Sequence, residues 1–335
     1  MAVMLNGDEK KLLTRRDTNN PQAYQLYLKG RLFLSQESEE GAYKALDCFS
    51  QAIAMDSGYA LAHVGRADVY SGYSSQYFLP AEAMPKAKAE VEKALALDPE
   101  LPEAHRSMAR IKQWFDWDRR GAEKEFQRAI ELQPNFAIAH ISYSGFLTQE
   151  KRFDECLIEI KRAQELDPLA PYNHFHLGYL HYIQREYDKS IEQYREALAL
   201  SPNYESALKG LGASYREKGN YDEAIATLKR VVELNRFDQY VSELAYTYGV
   251  VGKRKEAKIL IDELEGLAKH RYVSPVRIAR MYAGLGENNK VFDWLNQAYA
   301  DHSDHLLNLT IDPLFDGIRK DPRYIELVGK IGLEP

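Results

Sequence analysis

The sequence predicts an all-α chain, a right-handed solenoid of about eight helical hairpins, on three observations. Prolines close successive segments at Pro99, Pro134, Pro168 and Pro202, spaced by 35, 34 and 34 residues. Each follows an alanine by five residues, at Ala94, Ala129, Ala163 and Ala197. Between them small and large residues return in register, and a fixed period of this length marks a repeat array.

The recurrence is clearest in the second half. Leu177-Gly178, His181, Tyr187, Ser190, Tyr194 and Ala197 in one unit become Leu211-Gly212, Tyr215, Tyr221, Ala224, Leu228 and Val231 in the next. Leu244-Ala245, Tyr248, Gly252 and Ala257 follow, then Ile278-Ala279, Tyr282, Gly286 and Ala298. The small positions let paired helices approach, and the large ones fill the holes between them. A glycine or polar residue between helices permits a tight turn, as in Gln184-Arg185-Glu186 and Lys218-Gly219-Asn220, and the closing proline stops the second helix.

In order, the units are 23–59, 60–101, 102–136, 137–170, 171–204, 205–237, 238–271 and 272–305, preceded by a lead-in at 1–22. The span 23–305 holds 283 residues, about 11 more than eight periods of 34, nearly all in the first two units. In the second unit the extra residues, Gly72 to Met84 with Tyr73, Tyr77, Phe78 and Pro80, are expected to lengthen the turn and rest on the outside of the array. They read as buried aromatics or as a contact loop for a partner. The lead-in Asp8 to Asn20 is charged and reads as a frayed helix or a linker. The tail, 306–335, reads as short turns leading into an amphipathic helix from Ile325 to Ile331 that caps the last hairpin.

These units resemble tetratricopeptide repeats over the whole span 23–305. The lead-in from Leu12 through Gly30, with Asp312-Pro313-Leu314-Phe315 and Asp321-Pro322-Arg323-Tyr324, resembles the C-terminal repeat domains of bacterial multidomain regulators, where such arrays follow a kinase, winged-helix or cyclase domain. None of those domains is recognisable in this sequence. The resemblance implies a protein-binding scaffold, or a regulatory module that senses a ligand or exchanges contacts with an effector domain. It supplies no activity.

Composition agrees with a folded, non-catalytic chain. Hydrophobic residues make up 45% and charged residues 28%, enough for a core. Forty-four Lys and Arg against 50 Asp and Glu leave a net charge of −6, which argues against nucleic acid as a main partner. Cys48 and Cys156 form no metal-binding or disulfide pattern. The N-terminus lacks a signal-peptide core and no stretch is long enough for a membrane helix, so a cytoplasmic location is expected, although a fragment would read the same. Asn308-Leu309-Thr310 matches a glycosylation acceptor but means little without secretion. A phosphate-cradling glycine loop, a dinucleotide glycine triplet, a zinc-helix motif and a nucleophile elbow are all missing; Ser144 is preceded by Tyr143 and Ser142. No enzyme and no cofactor is expected.

His174, His176 and His181 share one helix, but only His174 and His181 fall on one face, too far apart for one metal without a third element. They read as packing or groove polarity. Asp301-His302-Ser303-Asp304-His305 reads as a solvated loop.

By the resemblance, places two, five, nine and twelve of each first helix face an inner groove. Those places hold Ile138 and Ile141, then Tyr172, Phe175, Tyr179 and Tyr182, then Lys209 and Arg216. An aromatic stripe is ordinarily core, yet here Leu177, Gly178 and His181 take the core places, which pushes the aromatics toward the groove, as a binding surface or as superhelix packing. Arg106 and Arg110, near Trp114, Phe115 and Trp117, read either as an extension of a basic strip or as solvated arginines. The carboxylate clamp of chaperone-tail binders is not assembled: Tyr27 and Arg31, Val64 and Asp68, and Phe175 and Tyr179 stand where its Lys and Asn would be. The expected partner is therefore a peptide or protein segment, held by rings and one or two charge-assisted bonds at about −8 kcal/mol.

Overall fold

The computed structural model describes residues 18–36 and 38–334, so the lead-in expectation up to residue 17 lies outside the described residues. Helices follow one another as α1 (Pro21–Leu34), α2 (Glu39–Met55), α3 (Ala60–Gly72), α4 (Pro80–Leu97), α5 (Pro102–Ile111), α6 (Arg119–Leu132), α7 (Ala137–Gln149) and α8 (Phe153–Leu166). The second half continues with α9 (Pro171–Ile183), α10 (Tyr187–Leu200), α11 (Glu205–Glu217), α12 (Tyr221–Leu234), α13 (Asp238–Val250), α14 (Arg254–Leu267), α15 (Pro275–Gly284) and α16 (Asn288–Ala300). Two 3₁₀ turns, Asp304–Asn308 and Pro313–Ile318, lead into α17 (Pro322–Lys330). Among the described residues extended structure is limited to one isolated bridge, Ser74 to Phe78.

Local chemistry sets the helix ends. Asn20 accepts from the backbone N–H groups of Gln22 and Ala23 while Pro21 opens α1, and Ser38 caps α2 through Gly41 N–H. Between paired helices the backbone turns left-handed at Lys151, Arg185, Gly219, Gly252 and Gly286, with φ between 58° and 87°. Glycine takes three of these positions because it alone adopts that conformation without a Cβ penalty.

Consecutive helices pack in pairs, and each pair stacks on the next. The small positions are steric necessities. A Cβ on Gly30 or on Gly65 would lie 2.6 Å from the Phe49 ring, which is wedged between α1 and α3. Tyr194 is held in the same way between Gly178 and Gly210, where an added Cβ would approach to 2.9 and 2.3 Å. Between α13 and α15 the two backbones themselves touch, since a Cβ on Gly249 would meet the Gly284 carbonyl carbon at 2.6 Å.

A regularity absent from the sequence reading links the helices of the early pairs. His63, His105 and His140 each hold a glutamate of the following helix, Glu90, Glu125 and Glu159, at 2.6–2.7 Å through Nδ1. Their Nε2 atoms face backbone carbonyls of the preceding turn. His174 occupies the corresponding place and meets Gln193 at 3.0 Å, so it clips α9 to α10.

The solenoid curls until its halves meet. The extra residues of the second hairpin do lengthen its turn, but they do not rest on the outside: Tyr77 packs on Phe237 of α13's N-terminal cap with ring centroids 6.0 Å apart. Asp301–His305 is a solvated loop only in part, with His302 exposed and Ser303 buried. His302 stacks on Trp117 at 4.6 Å and 17°, Ser303 is fully buried, and Arg119 donates to the Gly332 carbonyl. Both corrections have one cause, since these contacts join residues far apart in sequence that no 34-residue pattern relates.

Candidate site: an aromatic chamber at the centre of the curl

The backbone around α5 prepares one wall. After Ile111 the helix widens into a single π-turn, Lys112–Asp116, and Trp117 takes a left-handed φ of 54°, a strained conformation for a bulky residue. That turn carries Trp114 to the chamber and Trp117 to its clasp with His302. The opposite wall comes from α9, α11, α13 and α15, which contribute Phe175, His176, Tyr179, Tyr182, Lys209, Glu243 and Arg280. The segment from His305 to Asp312 forms a roof through His305, Asn308 and Asp312, and the hollow stays partly open to the surface. The resulting chamber is about 240 Å³.

The roof is fastened from several sides. Ile311 packs with Tyr182, Ile183 and Ala213. Gln149 donates to Asn308 at 3.1 Å and itself accepts from Gln113 at 2.6 Å. Arg280 donates to Asp312 at 2.8 Å and lies over the Phe315 ring, and Arg185 pairs with Asp316 at 2.8 Å. Leu309 and Thr310 are buried, so the acceptor-like triplet lies inside the molecule.

The chamber's polar groups divide into satisfied and unsatisfied. Arg216 is 1% exposed and bonds Glu243, Thr247 at 3.2 Å and Tyr182 at 3.3 Å, with its guanidinium 4.5 Å over the Tyr246 ring. Glu243 and Asp312 therefore each have an arginine. Lys209 has none of this: among the described residues no hydrogen bond or ion pair reaches its ammonium. The hydroxyl of Tyr179 is also without a hydrogen-bond partner among the described residues.

Burial shapes the titration. These side chains keep surface facing the chamber but lie beneath the molecule's outer wall, so water is scarce around them. Desolvation lowers Lys209 to about 8 against the pull of Glu243, and lowers His176 to about 4. His176 is neutral at pH 7, while burial raises Tyr179 and Tyr182 far from titration. Lys209 folds with its pKa below the unfolded value of 10.5, so the unfolded chain binds more protons between pH 8 and 10.5. Stability gains from this group as pH rises through that window. Lys209→Met is accordingly expected to be about 1–3 kcal/mol more stable than wild type at pH 7, an advantage that shrinks toward pH 10.5 in urea melts.

The expected groove residues separate on this geometry. Phe175, Tyr179, Tyr182 and Lys209 meet in the chamber wall. Tyr172 does not; it packs beside Leu177 on the cluster below, with its hydroxyl donating to Asp167, and burial together with that carboxylate pushes it up to about 12. Ile141 is core, 6% exposed between α7 and its neighbours. Ile138, 38% exposed, borders a separate 90 Å³ hollow with Tyr27, Arg31 and Asp68. Arg216 is structural, locked by Glu243. Arg106 is neither a free basic strip nor solvated, since it is 8% exposed and holds Asp68 at 2.6 Å, and Arg110 is half-buried and is not among the residues lining either hollow. Periodicity showed which face an arginine occupies, but not the carboxylate one or two helices away that claims it. Trp114, Arg280, His305 and Asp312 complete the chamber and were not anticipated; the aromatic-rich run Trp114 to Trp117 was the one visible signal for them.

Residues 167–236, the helices α9 to α12 at the chamber's centre, match the tetratricopeptide repeat family model. Those residues carry tetratricopeptide repeats. Among curated relatives, Hsp70-Hsp90 organizing protein 1 of Glycine max is 30% identical over 127 residues, covering 38% of this chain and 22% of that protein. Superkiller protein 3 of Schizosaccharomyces pombe is 24% identical over 262 residues, covering 78% and 16%. The chain thus spans less than a quarter of the length of these relatives. A solved structure of the human IFIT1 dimer with m7Gppp-AAAA superposes with a TM-score of 0.62 at 16% identity, covering 90% of this chain and 75% of that one. At that identity the match speaks for the fold of the repeat array alone. Among the described residues no helix is long and apolar enough to cross a membrane.

Proposed function

We propose that this tetratricopeptide array is a non-catalytic interaction scaffold, that its eight repeat units are the pairs α1–α2 to α15–α16, and that its inner chamber receives a short segment of a partner. Tetratricopeptide proteins mediate protein–protein interactions, and the observation that carries the chamber assignment is the meeting of Phe175 and Tyr179 with the unpaired ammonium of Lys209. At about 240 Å³ the space is smaller than the ~300–1,000 Å³ of a drug-sized cleft, so it suits one or two side chains and not a helix. The balance of Lys209, Arg216 and Arg280 against Glu243 and Asp312 does not suit a polyphosphate or a nucleic-acid strand.

A second reading is favoured by the roof. The groove already holds a segment of its own chain, from His305 to Asp312, as an intramolecular regulatory module of a larger, cytoplasmic bacterial signalling protein would. Binding then depends on how firmly that segment is held.

The expected result in a pull-down is that Phe175→Ala, Tyr179→Ala and Lys209→Glu, each with unchanged helical content, each retain at most about a tenth of a partner captured by the wild-type chain. Equal retention by all three removes the chamber as the docking site.

A further inference from the structure

We propose that the central chamber binds a small free monocarboxylic acid with a flat apolar body, its carboxylate between the Lys209 ammonium and the Tyr179 hydroxyl and its body against Phe175 and Trp114. This rests on the chamber being a recognition site and goes beyond it by naming the chemistry of an occupant.

Four features of the geometry select that class. First, donors without acceptors gather in the wall: among the described residues the Lys209 ammonium, the Tyr179 hydroxyl and Arg280 Nε all lack a hydrogen-bond partner. Every carboxylate in the wall has an arginine, whereas Lys209 and Tyr179 have no hydrogen-bond partner among the described residues. A buried donor without an acceptor is costly, and an incoming carboxylate supplies two acceptor oxygens with one charge.

Second, the charge count favours a monoanion. Lys209 on α11 faces Glu243 on α13, Arg280 and Arg277 on α15, and Asp312 in the roof. One negative charge matches the chamber's one cation without an ion-pair partner among the described residues. A phosphate dianion would add a second charge beside Glu243 and Asp312, where like charges repel in a poorly solvated space.

Third, the remaining lining is aromatic and edge-rich. Phe175 meets His176 edge-on at 5.2 Å and leans on Tyr194 and Tyr204, so its free face is fixed before any ligand arrives. His176, held neutral, adds no competing charge. Preorganised rings of this kind favour a planar body.

Fourth, the roof favours a free acid over the end of a polypeptide. Ile311 packs on Tyr182, Ile183 and Ala213 and Asn308 is bonded to Gln149, so a peptide that enters must leave through the remaining opening, which a free acid need not occupy. The volume accommodates one ring and its acid group.

Isothermal titration of the whole chain with phenylacetate tests this, with phenylacetamide and the tripeptide Gly-Gly-Phe as comparisons. The expected result is saturable phenylacetate binding at pH 7, weaker by at least about tenfold in Lys209→Met and for phenylacetamide. Tyr179→Phe weakens it by a smaller factor. Of the chamber groups that burial shifts, Lys209 is the one that titrates between pH 7 and 9.5, with Glu243, Arg216 and Arg280 charged and His176, Tyr179 and Tyr182 neutral throughout. Wild-type affinity is therefore expected to fall at pH 9.5 toward that of Lys209→Met, which itself shows no pH dependence.

Absence of phenylacetate binding, equal binding of the amide, or unchanged affinity in Lys209→Met overturns the proposal. Binding of the tripeptide but not of phenylacetate also overturns it, while leaving the partner-segment reading in place. A positive pull-down with a negative titration separates the two in the same way.

Discussion

Arg216→Ala is expected to cost about 3–5 kcal/mol, because it leaves a carboxylate buried without its counter-charge. Glu243 is 5% exposed, and its hydrogen-bonding partner among the described residues is the Arg216 guanidinium, which also ties Thr247 and Tyr182 to the same point and covers Tyr246. Three helices, α9, α11 and α13, meet there. Lys209 and Arg280 attract Glu243 through space but make no hydrogen bond to it. Hydrogen exchange is the appropriate measure, since a repeat array need not unfold in one step. Protection in α11 and α13 should fall by the amount stated while α1 to α4 stay unchanged. The double variant Arg216→Met/Glu243→Leu should recover most of the loss, as apolar pairs of similar volume replace buried ion pairs well. A single variant as stable as wild type would show that Glu243 is served by other groups.

The second large effect is expected at the roof. Phe315 is fully buried in the C-terminal cluster and lies under Arg280, the residue that anchors Asp312. Phe315→Ala removes a ring from a packed site at a cost of about 3–5 kcal/mol. The cost should appear as faster exchange from Asp304 to Ile318 and as an earlier urea transition, with helices α1 to α8 unaffected. If exchange rises equally throughout the chain, the roof is not a separable element.

These residues show where the sequence was readable. Many of the repeat helices and turns follow from neighbours within one period: Gly178 and Gly210 on either side of Tyr194, Arg185 and Gly219 at left-handed turns, Pro202 after α10. Phe175, Tyr179, Tyr182 and Lys209 were reachable for the same reason, because a helix face repeats every turn. Arg216, Arg106 and Ile141 share that face and differ only in what stands opposite. Their fates were decided by Glu243, by Asp68 and by the packing around α7. The roof was beyond reach in another way. A regularity of 34 residues carries no information about a contact spanning 159 residues, such as Gln149 with Asn308. The histidine clips were legible and went unread, since His63, His105, His140 and His174 stand at the same place in successive units.

The stack of Trp117 on His302 changes how the molecule answers force. An open superhelix stretched from its two ends behaves as a soft spring, each coil yielding a little at small load. Here the coil is latched, and Tyr77 against Phe237 is a second latch one unit away. Extension should begin only after both give way, so a single-molecule trace should open with one discrete rupture before the compliant regime.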